Sequence, residues 1–100
     1  MTLPVVWLPE ADADLKEARA WYDNVRSELG ERFAYAVEDT VETISEGPLR
    51  FPVVHRKFRR AGVRRFPFGI IFEVQESRIV VMACFHGRRD PQRWKVRGDR

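Results

Sequence analysis

The sequence is short of the residues and patterns that mark several classes of protein. It contains a single cysteine, Cys84, in 100 residues, which excludes an intramolecular disulfide framework and is typical of a reducing compartment. No apolar run approaches the roughly 20 residues that a transmembrane helix needs. The first ten residues lack the charged start and the long apolar region of a signal peptide. We therefore expect one soluble domain over residues 1–100, located in the cytoplasm and not associated with a membrane.

The sequence also lacks the motifs of metal and nucleotide chemistry. It has no CxxC or HExxH spacing and no glycine-rich phosphate loop. Cys84 lies within an apolar run, where a thiol is a poor nucleophile. We expect neither a metal site nor a cofactor.

Acidic and basic residues are divided between the two halves of the chain. Residues 1–47 contain eleven acidic residues and four Lys or Arg, a net charge of −7. Residues 48–100 contain four acidic residues and fourteen Lys or Arg, a net charge of +10. Positive charge concentrated in one half of a small domain indicates an acidic or polyanionic partner. A merely solubilising surface is the alternative explanation.

The N-terminal half is predicted to form a short strand followed by two helices. Residues 3–8 (LPVVWL) are typical of an edge strand or a strand start, because Pro4 removes one backbone donor. Pro9 then opens a helix, which breaks at residues 27–30, and a second helix ends at the Gly-Pro pair 47–48. The apolar stripes of the two helices are Leu15, Ala18, Tyr22, Val25 and Leu29, and Phe33, Val37, Val41 and Ile44. Two tryptophans outside these stripes are also expected in the core, Trp7 and Trp21.

The C-terminal half is predicted to contain a β-hairpin. Residues 66–74 and 79–85 are rich in β-branched and aromatic residues, and a short polar loop joins them. Alternate residues of the first run share one face, which we expect to pack under the helices. The second run is apolar on both faces, as in a central strand. Strict alternation there groups Val81 with Ala83 and places Cys84 on the other face.

These elements predict an α+β fold. Both helices pack on one face of a mainly antiparallel sheet of three or four strands, the fourth being a weak extended segment in the connector 49–55. The basic residues then gather around the other face, which we expect to be open. After the last strand, Asp90 and Pro91 predict a short C-terminal turn or helix. Trp94 either packs back on the sheet or anchors a partner.

The order of elements, together with the runs RRFPFGIIFEV and RIVVMACFHGRRDPQRW, resembles the RelE/ParE superfamily of small bacterial toxins. The resemblance is to the ParE-like branch in particular, often called plasmid stabilisation proteins, and it covers nearly the whole chain. It implies a RelE/ParE-like fold and a toxin that is neutralised by a cognate antitoxin encoded beside it. Such antitoxins combine an acidic or amphipathic helix with a strand, and the complex binds operator DNA through the antitoxin.

The resemblance leaves three functions open. ParE-type proteins inhibit DNA gyrase, and the His-x-x-Arg-Asp ending of this chain favours that function. RelE-type proteins cleave messenger RNA on the ribosome, which requires proton transfer and cations beside the transition state. In that case the catalytic residues would be His86, Arg65 and Arg89. The third possibility is a weakly toxic or non-toxic module that binds an antitoxin or regulates transcription.

Cationic residues around the hairpin form the candidate binding site. Arg64 and Arg65 point to opposite faces if they lie in a strand, and alternation then favours Arg65 for the open face. Arginine side chains can hold phosphate or carboxylate groups through paired hydrogen bonds. The candidate residues for binding a partner or a nucleic acid are Lys57, Arg60, Arg64, Arg65, His86, Arg88, Arg89 and Trp94.

Overall fold

The computed structural model describes residues 2–87 and 92–99, which form one β-sheet with helices on both faces. The strands are β1 (Val5–Trp7), β2 (Val53–His55), β3 (Phe58–Gly62), β4 (Phe68–Val74) and β5 (Ile79–His86). The helices are α1 (Pro9–Val25), α2 (Leu29–Glu46) and α3 (Gln92–Gly98), with a short 3-10 turn at Pro48–Arg50. In the described part of the chain, no helix has the length and apolar character needed to span a membrane.

The predicted α+β class, with a helical hairpin on a mainly antiparallel sheet, is confirmed, and the sheet has five strands. Their order is β1-β5-β4-β3-β2. β1 pairs with β5 in parallel, whereas the other pairs are antiparallel. β2 is the weak segment predicted in the connector. The additional strand, β3, has the sequence FRRAG, whose arginines hide the alternation that identifies a half-buried strand.

The main core lies between the helical hairpin and the sheet. The aromatic face predicted for the first hairpin strand packs there, with Phe72 fully buried and Phe66 and Phe68 at the margin. The Phe33 ring lies 5.1 Å from that of Tyr22 and about as close to those of Phe66 and Phe68 (5.1 and 5.0 Å between ring centroids). These edge-on and tilted contacts add to the area that the rings bury, so the aromatic cluster fixes the hairpin of helices over β4.

Two residues predicted for the core are exposed instead. Trp21 is 61% exposed because its neighbour Tyr22 occupies the inward position on α1, and the next residue along a helix points about 100° away. Val25 is also exposed, since it is the last residue of α1 and the apolar stripe ends with the helix. Trp7, by contrast, is half-buried against the main core, as predicted.

The opposite face of the sheet, which we expected to be open, is partly covered by α3. Trp94 is only 7% exposed and packs with a cluster that includes Phe58, Ile71 and Met82. The helix approaches closely at Gly98, where a Cβ atom would lie 2.5 Å from the Phe58 ring. The Trp94 side chain therefore packs back on the sheet, and it is not on the surface that a partner would meet in this conformation.

Candidate functional site

Arg64 and Arg65 occupy the tight turn between β3 and β4. The N–H of Phe66 donates to the carbonyl of Val63 at 3.2 Å, which closes a four-residue turn with the two arginines at its centre. Arg65 has a φ of 70°, the left-handed conformation that favours glycine. Both side chains are exposed. Because neither residue lies in a strand, the choice between them by strand alternation does not apply.

Arg60 crosses the sheet face that α3 leaves uncovered. It lies on β3 opposite Ile71 of β4. Its side chain is on the side of the sheet that carries the cluster under α3, called here the second cluster, and not on the side of the main core. A Cβ atom at Gly69 would be 2.4 Å from the Arg60 Nε, and one at Gly87 would be 3.4 Å from a terminal nitrogen. The guanidinium therefore lies flat over Gly69, which only glycine permits, and reaches towards Gly87 at the end of β5.

A β-bulge in β5 changes which side chains face the helices. Ile71 pairs with Ala83 but the next residue, Phe72, pairs with Val81, so Met82 is an extra residue on β5. Beyond this point the alternation reverses. The prediction that groups Val81 with Ala83 is therefore wrong, because strict alternation assumes an uninterrupted strand.

The bulge also determines the position of His86. Cys84 joins the main core, whereas Ala83 belongs to the cluster under α3. His86, two residues after Cys84, lies on the same side as Cys84, and its ring packs edge-on against Phe68 with 5.5 Å between centroids. It lines a groove of about 570 Å³ between α1 and the ends of β4 and β5, together with Trp21, Tyr22, Glu17 and Arg93.

The structure separates the remaining predicted cations. Lys57 lies in the turn between β2 and β3, and its Nζ is 3.1 Å from the carboxylate of Glu73. The five residues of β3 separate this turn from the turn that contains Arg64 and Arg65 (the arginine turn), a distance of roughly 15 Å along the strand. Lys57 therefore lies apart from Arg64 and Arg65. Arg88 and Arg89, and also Asp90, lie outside the described residues.

The contacts that attach α3 to α1 involve residues outside the predicted candidate site. Arg97 donates to both carboxylate oxygens of Asp14 in α1, at 2.7 and 3.0 Å, and its Nε lies 3.3 Å from Glu10. The hydrogen bond with Asp14 is the main cause that raises the pKa of Arg97 above its ordinary value. The guanidinium also lies 4.7 Å from the centroid of the Phe85 ring, a cation–π contact.

Asp14 also caps the free edge of β5. β1 is too short to pair with β5 beyond Val81, and the backbone N–H of Cys84 donates to the Asp14 carboxylate at 3.1 Å instead. Burial raises the pKa of the Cys84 thiol to about 12, and the negative charge of Asp14 adds to this effect. The thiol is thus held in its unreactive protonated form.

The end of α3 is fastened to the β2–β3 turn. The Asp99 carboxylate lies 2.6 Å from Arg56 Nε and 3.2 Å from His55 Nε2. Its contacts with His55, and then the charge of Arg56, hold the pKa of Asp99 below its ordinary value. His55, which is not among the candidate site residues, therefore has a structural contact.

The described candidate residues are spread over both faces of the sheet. Arg60 lies on the face that α3 partly covers, whereas His86 lies on the face that carries α1 and α2. Among the described residues, no group of three His, Cys, Asp or Glu side chains is arranged to hold a metal ion. The arginine turn and Arg60 present guanidinium groups that can bind carboxylates or phosphates in pairs of hydrogen bonds.

Comparison with known protein families shows to which family the chain belongs. A family model described as the ParE toxin of type II toxin-antitoxin systems, parDE, matches residues 5–91. The chain belongs to the ParE toxin family. The match runs from β1 to the segment before α3 and confirms the resemblance inferred from the sequence. No curated protein matches this ParE-family toxin.

A solved structure shares the fold of this ParE-family chain. It is described as the chromosomal ParDE TA system from P. aeruginosa, and it matches with a TM-score of 0.76. The match covers 85% of this chain and 96% of the other, at 18% sequence identity. At this identity the similarity establishes the common fold and no more.

Proposed function

We propose that this ParE-family toxin inhibits DNA gyrase by binding to it, without breaking a bond, and that a cognate antitoxin neutralises it. The observations that support this proposal best are the match of residues 5–91 to the ParE toxin family and the exposed turn that presents Arg64 and Arg65. Cleavage of RNA needs a proton-transfer group and stabilising cations at the same reacting atoms, and this turn contains no proton-transfer group. Inhibition by binding needs only the exposed guanidinium groups.

The surface proposed for gyrase and the antitoxin is formed by three arginines at the end of the sheet. Arg64 and Arg65 are exposed, and Arg60 lies flat over the glycine surface beside them. None of the three forms an ion pair within residues 2–87 and 92–99. Their guanidinium groups are therefore available to the carboxylates of a partner, and we propose that the antitoxin presents acidic side chains to this surface.

A supercoiling assay with purified gyrase tests the proposal. We expect the protein to inhibit supercoiling and His86→Ala to inhibit as strongly. The double charge reversal Arg64→Glu with Arg65→Glu should weaken inhibition by at least about tenfold, since buried charge pairs at an interface couple by 1.5 kcal/mol or more. The control Arg26→Glu with Arg78→Glu makes the same change of charge at exposed sites elsewhere and should leave inhibition unchanged.

Two outcomes contradict the proposal. If supercoiling proceeds normally while ribosome-bound messenger RNA is cleaved in phase with codons, and His86→Ala abolishes that cleavage, the protein is an endonuclease. If neither gyrase nor messenger RNA is affected but an antitoxin still binds, the protein is a non-toxic binding module. Either target would place the protein in the cytoplasm, and we propose that location.

A further inference from the structure

A groove of about 1010 Å³ lies between α2 and the arginine turn. One wall is a stripe of α2, in which Arg32, Tyr35 and Asp39 recur at intervals of three and four residues and so lie along one face of the helix. Arg64 and Arg65 line the facing wall. The groove therefore combines an aromatic ring, a carboxylate and three guanidinium groups.

The three arginines are gathered at one end of this groove. Phe66 directly follows the arginine turn, and its ring lies 5.1 Å from that of Phe33, the neighbour of Arg32 on α2. The turn therefore faces the first half of the helix. Arg32 lies 3.7 Å from the carboxylate of Glu28, and both side chains are largely exposed, so a more strongly charged ligand can replace this weak pair. Guanidinium groups gathered in this way suit the phosphates of a compact polyanion.

Tyr35 presents an unstacked ring to the same groove. It is 58% exposed, and in the described part of the chain its ring contacts no other aromatic ring. The lining around it is apolar, since Ala36 and Phe66 are half-buried there. An exposed ring beside cations is the arrangement on which a nucleotide base stacks, because every base has a flat π face.

Asp39 lies about one helical turn beyond Tyr35. Its carboxylate has no ion-pair partner among residues 2–87 and 92–99. An ionised carboxylate only accepts hydrogen bonds, and it can accept two donors at once. The edge of guanine presents two adjacent N–H donors, whereas adenine presents one amino group beside an acceptor nitrogen. A guanine base stacked on Tyr35 would therefore suit Asp39 better than an adenine.

The charge of α2 favours a single nucleotide over a strand of nucleic acid. The helix contains five acidic residues and one basic residue, Arg32. Proteins that bind single strands place cations along the whole path of the backbone. Here the cations lie at one end, and a longer strand would continue along a negatively charged helix. A nucleotide needs cations only at its phosphates.

We propose that the groove between α2 and the arginine turn binds a guanosine di- or triphosphate. The phosphates would lie between Arg32 and the arginine turn, the base would stack on Tyr35, and the base edge would donate to Asp39. The proposal goes beyond gyrase inhibition and does not depend on it. Because Arg64 and Arg65 also belong to the surface proposed for gyrase, a bound nucleotide would compete with that partner.

Titration of GTP into the isotopically labelled toxin, at low salt and without divalent metal, tests this inference. We expect amide shifts at Tyr35, Asp39 and the arginine turn, with a Kd below about 1 mM. Tyr35→Ala should raise the Kd at least about fivefold, because the base loses its stacking surface, whereas Tyr35→Phe should bind like the wild type. The matched control Trp21→Ala removes a ring that is 61% exposed outside this groove and should leave the Kd unchanged.

The preference for guanine is tested by comparison with ATP, which should bind at least about threefold more weakly than GTP. Asp39→Asn should abolish this preference, because an amide cannot accept two donors as a carboxylate does. The loss of charge should leave ATP binding as tight or tighter. Glu38→Gln is the control, since this neighbouring side chain lines a different groove and its loss of charge should not change the preference.

Four outcomes overturn the inference. The first is that GTP at about 1 mM shifts none of the groove amides. The second is that tripolyphosphate binds as tightly as GTP, because the arginines then bind phosphate without recognising a nucleotide. The third is that Asp39→Asn keeps the preference for GTP. The fourth is that a single-stranded octamer of alternating deoxyguanosine and deoxythymidine binds more tightly than GTP at the same salt concentration, because the groove is then a nucleic-acid site. The supercoiling assay without added GTP decides the gyrase proposal separately, so either proposal can fail alone.

Discussion

The carboxylate of Asp14 holds the guanidinium of Arg97 through two hydrogen bonds of 2.7 and 3.0 Å, across 83 residues of sequence. Their side chains are only 12% and 14% exposed, so the pair is largely removed from water. The same carboxylate accepts the backbone N–H of Cys84. One side chain of α1 therefore fixes both the free edge of β5 and the helix that covers the second cluster.

Asp14→Ala should lower the free energy of unfolding by about 3 kcal/mol, because it leaves a largely buried guanidinium without its main partner. Urea unfolding followed by tryptophan fluorescence measures this cost. The matched control is Asp12→Ala, which breaks an exposed pair with Lys16 one turn earlier on the same helix and should cost no more than about 0.5 kcal/mol. Equal, small costs for both variants would show that the Asp14–Arg97 bond does not hold α3.

Arg65→Gly should stabilise the protein, by up to about 1 kcal/mol, because glycine adopts the left-handed conformation of this turn position without steric cost. The neighbouring change Arg64→Gly removes the same charge at a residue whose φ is negative, and it should not stabilise. Thermal unfolding of the two variants gives the comparison. If the proposed binding surface is correct, both variants bind gyrase more weakly than the wild type. A turn that gains no stability from Arg65→Gly would mean that Arg65 contributes contacts that offset its strain.

Much of this fold follows from patterns in the sequence, but two features that shape the site do not. The helical stripes and the aromatic face of the first hairpin strand predict the main core, because both patterns have a fixed period. The bulge at Met82 leaves no such mark, since every residue from Val80 to Ala83 is apolar and suits either face. Alternation alone therefore cannot assign His86, which follows the bulge, to a face of the sheet.

Long-range polar contacts were the other part that the sequence could not supply. The Asp14–Arg97 pair joins two helices far apart in the chain, and neither residue stands out within a stretch rich in charge. Strand β3 was missed for a related reason. Its two arginines occupy positions that a pattern of alternating polarity would assign to a basic loop, although Phe58 and Ala61 are buried on opposite faces.

Cys84 should resist alkylation in the folded protein. Cys84 is only 2% exposed. Its thiol pKa is about 12, compared with an ordinary value of 9.0, so the folded protein has roughly a thousandfold less thiolate at pH 8 than an ordinary cysteine would have. We expect iodoacetamide to react at least about a thousandfold more slowly with the native protein than with the protein in urea. Rapid native reaction, at a rate that does not follow global unfolding, would show that the groove beside Trp21 opens to admit the reagent.

Acid should loosen the end of α3 before the rest of the fold. The folded-state pKa of Asp99 is below its ordinary value of 3.8, so its contacts stabilise α3 above that pH and are lost as the pH falls through the lower, folded-state pKa. Hydrogen exchange of the α3 amides, corrected for intrinsic rates, should rise in that range. Asp99→Asn should show faster exchange at pH 7 and a smaller increase in acid. Identical pH profiles for the two proteins would assign the acid sensitivity to another carboxyl group.

Gly69→Ala should displace the guanidinium of Arg60 while leaving the stability of the sheet nearly unchanged. A Cβ atom at Gly69 would be 2.4 Å from the Arg60 Nε, so the guanidinium must leave the glycine surface. The strand itself tolerates alanine, and we expect the free energy of unfolding to change by no more than about 1 kcal/mol.

Gly62→Ala is the matched control, because its Cβ would meet Arg60 only at an ordinary contact distance of 3.8 Å. If Arg60 binds a carboxylate of gyrase from its present position, Gly69→Ala weakens inhibition about tenfold, as for a lost hydrogen bond to a charged group. Gly62→Ala then inhibits like the wild type. Equal inhibition by both variants would show that Arg60 does not contact gyrase from this position. The described part of the binding surface would then consist of Arg64 and Arg65 alone.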